Sequence, residues 1–457
     1  MSRWYVVLPC LLAATPLPAT GAQSPDDPVK PHLAALLTVI SSGDSAQARA
    51  FVGEHLAPRF RDAMPVAAHL QALAQWQRDW KGAAIRGIDQ ERPDEVVVEL
   101  VAQGRRGRLQ VGYESTPPHL ITGLRLRPDE APLGTGVSSA AVLEQRLDSL
   151  ARADLFAGVV LVGRADRVLA RQAVGLADRA RRVPMTPETR INIGSITKAF
   201  TSVAILRLAQ EGRLRLDEPI GTYVDGFPAD VAGRVTIRQL LQHRSGMGDF
   251  FPSPQFRADP SKVRSLDDYL AIARSTPLEF EPGARERYSN LGYVVLGAIV
   301  QRVSGKPWHD AIAEYVYRPA GMTSSGVYER TAAGIAQGYV GTPPNLELNT
   351  ATLPGLGSPA GGTYATADDL RRFALALFDH RLLDKASTEL WFNRFHDGRT
   401  GWGPVGIAGG APGVNAEMVM NPVTRDVIVV MTNRSPPSAA RVAQQLEGEV
   451  RAWKDGA

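Results

Sequence analysis

Hydrophobic spacing divides the chain into stretches of different character. Early on, Leu33, Leu36, Leu37 and Ile40 recur three and four residues apart, which predicts an amphipathic helix, and Leu70 to Trp80 predicts a second. Three strand-like runs follow, Glu95–Ala102, Arg108–Glu114 and Leu120–Arg127. Gly104, Gly107 and the pair Pro117-Pro118 punctuate them, which predicts an antiparallel meander. Residues 30–127 therefore read as a small α+β domain. The segment from Pro128 to Gly136 breaks the pattern and predicts a linker over residues 128–138. Residues 139–455 read as one long unit of mixed helices and strands. Within it, Ala199–Glu211 and the apolar run Leu291–Val303 have helical character, and each ends at a glycine, Gly212 and Gly305.

The amino terminus is patterned differently. Met1-Ser2-Arg3 precedes an apolar stretch of about ten residues, and small residues continue to Ala22. This layout predicts a signal peptide over residues 1–22 and export to the periplasm or the medium. The stretch is too short to remain as an anchor, so no stable membrane attachment is expected after cleavage. Cys10 is the only cysteine and lies inside this segment. The mature chain would then have no disulfide, thiolate metal site or cysteine nucleophile, as suits an oxidising compartment. The 51 Lys and Arg residues against 47 Asp and Glu give a net charge of +4 with no basic block, which argues against a nucleic-acid partner. His55, His69 and His119 have no ligand spacing, and no metal is expected.

Two short motifs carry the chemistry. Ser195-Ile196-Thr197-Lys198 opens the helical stretch that runs to Glu211. A serine in the first turn of a helix lies at the positive end of the dipole, which favours a developing oxyanion. A lysine three residues later lies on the same face. Burial there would disfavour its ammonium and lower its pKa, so that it can take the serine proton. Of the seven lysines only Lys198 has a serine three positions before it. An ordinary surface serine and lysine on a helix would give the same pattern. Tyr288-Ser289-Asn290, the only Tyr-x-Asn in the chain, precedes the apolar helix from Leu291. A tyrosine facing a lysine can lose its phenolic proton more easily and act as a base. An asparagine amide can hold a lysine and a substrate carbonyl at once. Ser289 or Asn290 is also a good helix cap, and the two roles are compatible.

Ser195-x-x-Lys198 and Tyr288-x-Asn290, in this order, resemble the first two motifs of serine β-lactamase and penicillin-binding-protein-like hydrolases. The context is similar to the class C β-lactamase, DD-peptidase and family-eight carboxylesterase branch. Gly194–Phe200, Leu214–Ile220, Leu240–Met247, Pro319–Met322 and Ala360–Tyr364 support the resemblance, which covers roughly residues 140–450. His243 and Ser245 resemble part of a structural turn in that family and are not expected to be a catalytic pair. The resemblance implies an α+β, β-lactamase/DD-peptidase-like fold, with a five-stranded antiparallel sheet flanked by helices and an all-helical subdomain beside it. Val159–Val162 and Val168–Ala173 resemble its first hairpin, Ala416–Met420 and Val427–Thr432 later strands, and Ala439–Trp453 the closing helix. It implies a serine acyl hydrolase in which Ser195 attacks a carbonyl and Lys198 and Tyr288 share the base role. Asn290 would orient Lys198 and the substrate, and the backbone amides of Ser195 and Gly410 would hold the oxyanion. No cofactor or metal is implied, and the substrate would be a small molecule or a peptide.

The third motif departs from the family pattern. There a Lys, His or at times Trp is followed by a small residue and Gly; here the matching residues are Ile407, Ala408 and Gly409. Ile407 stands where the cation is expected, and His396, eleven residues earlier, cannot be given the role from sequence. A substrate carboxylate facing isoleucine would be desolvated without a partner. Neutral esters, amides or lactones are therefore expected ahead of penicillins and peptides with a free C-terminus. The alternative is a decayed site in a binding or regulatory protein, with the N-terminal domain offering a surface to a protein partner. The loops Asp249–Leu266 and Gly326–Leu356 are expected to shape the pocket, with Phe250, Phe251 and Tyr328 either lining it or packed elsewhere.

Overall fold

The computed structural model describes residues 30–453 apart from 43, 63–64, 93, 103–104, 129–132, 135, 330–333, 394 and 396–403. The expected signal segment with Cys10, and His396, lie outside the described residues. The described chain divides into two compact units that meet in sequence between Pro128 and Leu133. Among the described residues no helix is long and apolar enough to cross a membrane.

The first unit begins with helices α1 (Lys30–Ser42), α2 (Ser45–His55) and α3 (Val66–Asp79). An antiparallel meander follows: β1 (Ala84–Arg92), β2 (Glu95–Ala102), β3 (Arg105–Tyr113) and β4 (Ile121–Pro128), paired in that order. Leu33, Leu36 and Ile40 of α1 bury against Val96, Val98 and Leu100 of β2 and Leu109 and Val111 of β3. Two elements here have no clear signature in the sequence. α2 buries only Ala48, Phe51 and Val52, too few to mark a helical face, and it starts where the Asp44 carboxylate accepts from Ala46 N at 2.7 Å. β1 is a mostly polar edge strand paired only with β2.

The second unit opens with α4 (Ala140–Arg152), followed by β5 (Gly158–Arg164), β6 (Arg167–Val174) and the short β7 (Ile191–Asn192). Next come the long helices α5 (Thr197–Gln210) and α6 (Asn290–Ser304), then a short β8 (Thr363–Ala365) and α7 (Ala367–Phe378). It closes with β9 (Val405–Ala411), β10 (Val414–Asn421), β11 (Asp426–Thr432) and α8 (Ser438–Glu449). The expected five-stranded antiparallel sheet is present, in the order β9-β10-β11-β5-β6. Side chains alternate between its two faces. Val159 and Leu161 of β5 join the cluster that holds α5, α6 and α7, while Val160 and Val162 join the one under α4 and α8. This double burial explains the unbroken apolar run in β5. α5 is buried almost all round, as a helix through the middle of a helical layer must be.

The second half of the expected linker is part of this unit. Leu133 and Val137 are buried with residues of α4 and α8. Their backbone amides donate to Gln445 Oε1 at 3.1 Å and Glu449 Oε2 at 2.5 Å. Two apolar side chains are enough to seat a Pro- and Gly-rich stretch once its backbone donors have partners. The expected loops also carry local structure. Pro254–Ala258 is a short helix, and Tyr339–Thr342 pairs with Asn345–Leu348 as a hairpin.

Glu417 of β10 lies on the sheet face that carries α8 and is only 9% exposed. Its Oε2 has no hydrogen-bond partner. Burial first, then repulsion from Glu447, pushes the carboxyl up from 4.5 to about 7. The native chain thus holds a proton that the unfolded chain has released, and the fold loses stability as the pH rises from about 4.5 through 7. Glu417→Gln should recover roughly 2–3 kcal/mol at pH 8 and almost nothing at pH 4, below the unfolded value. Thermal unfolding at both pH values checks this, and an equal shift at both would contradict it.

Candidate active site

Ser195 occupies a single 3-10 turn, Gly194–Ile196, that leads directly into α5. The strands on either side clamp this turn. Asn192 Oδ1 of β7 accepts from Gly194 N at 2.9 Å, and Ile193 N donates to Thr363 O of β8 at 2.9 Å. Thr197 Oγ1 donates to Gly194 O at 2.7 Å and accepts from Thr363 N at 3.1 Å. Gly194 has φ +52°, and a Cβ there would come within 2.8 Å of Gly410 N. Only glycine satisfies both demands.

Lys198 projects from the first turn of α5 into the same space and is 6% exposed. Its Nζ donates to Asn290 Oδ1 at 2.7 Å and Ala360 O at 2.5 Å, and lies 3.3 Å from Ser195 Oγ. It also stands 4.6 Å from the ring centre of Tyr288 and 5.5 Å from that of Tyr293. Burial lowers the amine to about 7, and the charge of Asp249 works against that shift. A neutral amine with two N–H bonds made keeps its lone pair for the third direction, toward Ser195.

Tyr288 donates its phenolic proton to Ser195 Oγ at 2.7 Å. Burial pushes this phenol well above its usual range, and the bond to Ser195 offsets only part of the rise. The expectation that the lysine would ease the tyrosine's proton loss is therefore corrected. The lysine, near 7, keeps about half of its charge at neutral pH, and desolvation of the phenolate outweighs it.

Ser289 rather than Asn290 caps α6. Its Oγ accepts from Gly292 N at 2.8 Å and donates to Gly248 O at 2.9 Å. Asn290 is the first helical residue, with its amide oxygen on Lys198 and its Nδ2 donating to Asp249 Oδ2 at 2.6 Å. His243 accepts from Ser289 N at 3.2 Å and packs its ring against Tyr288 and Tyr293, at 4.8 and 5.0 Å between centroids. Ser245 Oγ accepts from Met247 N within its own turn. Sequence reading places Asp249 only at the edge of a loop. Its one local signal is an Asx turn, with Oδ1 accepting from Phe251 N at 3.1 Å. Of the aromatic candidates, Phe250 is buried against Phe256 and Tyr269, while Phe251 keeps 40% of its surface exposed.

The third-motif residues lie on β9, the edge strand. Ile407 pairs with Met418 and packs, half-buried, against the core on the α5 side of the sheet; Ala408 is opposite Glu417. Gly409 permits the closest approach in the site. A Cβ there would lie 1.9 Å from Ile193 O and 3.0 Å from Ser195 N. The β9 backbone therefore lies directly on the Ser195 turn, with Gly410 N beside Gly194. Among the described residues no group of three or more His, Cys, Asp or Glu could hold a metal ion.

Comparison with known proteins accords with this arrangement. The beta-lactamase family model matches residues 141–451, which fall in the second unit. The chain belongs to the beta-lactamase family. Esterase EstB of Burkholderia gladioli is 37% identical to it over 205 residues, 41% of this chain and 52% of that protein. Penicillin-binding protein 4 of Amycolatopsis lactamdurans is 30% identical over 262 residues, 54% of this chain and 68% of that protein. The crystal structure of a penicillin-binding protein from Bacillus halodurans superposes with a TM-score of 0.60 at 29% identity, covering 66% of this chain and 98% of that one. This member of the beta-lactamase family, a family of serine hydrolases, brings a hydroxyl, an amine, a phenol and an amide within hydrogen-bonding reach of one another. On the strand that lies against the Ser195 turn, the residue two positions before Gly409 is Ile407.

Proposed function

We propose that the protein is a serine acyl hydrolase that cleaves neutral esters or amides through an acyl-enzyme at Ser195. The observation that carries this reading is the double contact of Ser195 Oγ, with Lys198 Nζ at 3.3 Å and Tyr288 Oη at 2.7 Å. The neutral Lys198 amine takes the serine proton as Oγ attacks the carbonyl carbon. The resulting oxyanion is held by the N–H groups of Ser195 and Gly410. Tyr288, still protonated, passes a proton to the leaving oxygen or nitrogen and is re-protonated from Lys198. Water then attacks the acyl-enzyme, gives its proton to the same pair and frees Ser195. Isoleucine in place of a cation favours acyl or leaving groups without a carboxylate. The similarity to an esterase supports the same choice. With the leader expected over residues 1–22 removed, this chemistry would take place outside the cytoplasm.

The test is intact-mass spectrometry after exposure to a fluorophosphonate, on wild type and Ser195→Ala. A single adduct is expected on the wild type and none on the variant, with p-nitrophenyl ester hydrolysis reduced at least about a thousandfold. A folded wild type that takes no adduct would overturn the proposal in favour of a binding protein with a decayed site.

A further inference from the structure

We infer that Asp249 is a positioning residue for Lys198 and acts through Asn290: its carboxylate decides which end of the Asn290 amide meets the lysine and sets a negative charge beside it. The inference rests on the reading of Ser195 as nucleophile and Lys198 as its base.

An asparagine amide has an accepting end and a donating end of nearly the same shape. Lys198 offers donors, so only the oxygen end of Asn290 is useful to it. Nothing in α6 by itself prevents the reverse orientation. An ionised carboxylate can only accept, so Asp249 Oδ2, at 2.6 Å from Asn290 Nδ2, excludes it. The reversed amide would turn its NH₂ toward the lysine and its oxygen toward the carboxylate, losing both bonds.

The position of Asp249 is itself built by the start of α6. Gly248 O accepts from Ser289 Oγ at 2.9 Å and from Leu291 N at 3.3 Å, and Asp249 Oδ1 accepts from Phe251 N at 3.1 Å. The same helix end that supplies Asn290 thus holds the loop that orients it. The groups facing Lys198 are Ser195 from its own turn, Ala360 O, Tyr288, Asn290 and Tyr293 from around the α6 start, and Asp249 beyond Asn290. His243 stands against the two tyrosines. Among the described residues, Asp249 is the charged group that raises the lysine's proton affinity against burial. Burial raises the carboxyl's own affinity as well, while Lys198 and the bonds from Phe251 and Asn290 favour its ionised form.

Asp249→Asn tests this with little change in shape. The new side chain can still accept from Phe251 N, but it has no charge and no longer dictates the amide orientation. The plateau kcat/KM for p-nitrophenyl acetate should fall about tenfold. The acid limb of the kcat/KM profile should move about one pH unit lower, because an amine without its neighbouring anion loses its proton more easily. The [13Cε]lysine NMR signal of Lys198, one of seven and assigned by its absence in Lys198→Met, should titrate correspondingly lower. A folded Asp249→Asn protein with the wild-type acid limb and the wild-type Lys198 titration would overturn the inference, whether or not its rate had dropped. Failure of the Ser195 adduct on wild type would instead remove the catalytic reading. The lysine titration would then stand as the sole test, an unchanged midpoint overturning the inference and a lowered one supporting it.

Discussion

Lys198→Met should lower kcat/KM for an activated ester by about 10³–10⁴-fold while leaving the protein folded. Tyr288 cannot take over as base. Its phenol is held protonated by burial and already donates to Ser195 Oγ, so it is not ready to receive the serine proton at neutral pH. Methionine fills a similar volume and carries no charge into a pocket that already drives the lysine toward neutrality. The lost bonds to Asn290 Oδ1 and Ala360 O should cost about 1–3 kcal/mol. The wild-type profile makes the assignment specific. The free amine is the active form, so kcat/KM should rise with pH and reach half its plateau near 7. In the variant that limb should be absent from the small residual rate. Rates from pH 5 to 9 and a melting curve check both parts; a limb retained in Lys198→Met would assign it to another group.

Gly409→Ala is the second large effect. The added methyl has no room, at 1.9 Å from Ile193 O and 3.0 Å from Ser195 N, and both atoms belong to a backbone clamped by β7 and β8. The edge strand β9 must therefore move away and take Gly410 N with it. An oxyanion exists only after attack, so the loss should fall on kcat by about 10²–10³-fold and leave KM little changed. Overpacking should also destabilise the unit by about 1–3 kcal/mol. Steady-state kinetics on the folded variant tests the idea, and a rise in KM with kcat intact would mean that β9 shapes substrate binding instead.

What could be read in the chain follows from distance along it. Ser195 and Lys198 are one helical turn apart, so their shared face is a local fact. Tyr288 and Asn290 flank a capping serine at a helix start, again local. The strands of the large sheet announce themselves because one or both of their faces are buried, which imposes a two-residue period or an unbroken apolar run. α2 lacks such a signature because it buries only Ala48, Phe51 and Val52, and β1 because its sequence is mostly polar and it pairs only with β2. Leu133 and Val137 had apolar side chains, but nothing nearby indicated that α8, more than 300 residues later, would cover them.

The site divides the same way. The hydroxyl, amine, phenol and amide of Ser195, Lys198, Tyr288 and Asn290, and the apolar side chain of Ile407, are properties of the sequence. The order in which protons move is not, because it depends on how deeply each group is buried. The lysine falls to about 7 and the phenol rises, and neither result can be had without knowing what surrounds them. Asp249 belongs wholly to the tertiary structure. It is 41 residues from Asn290, and its position depends on a loop folding back onto the start of α6. Sequence alone determined which chemical groups this protein has to work with. Only the tertiary fold, by excluding water and fixing distances of about 3 Å between residues remote in the chain, decided their protonation and their partners.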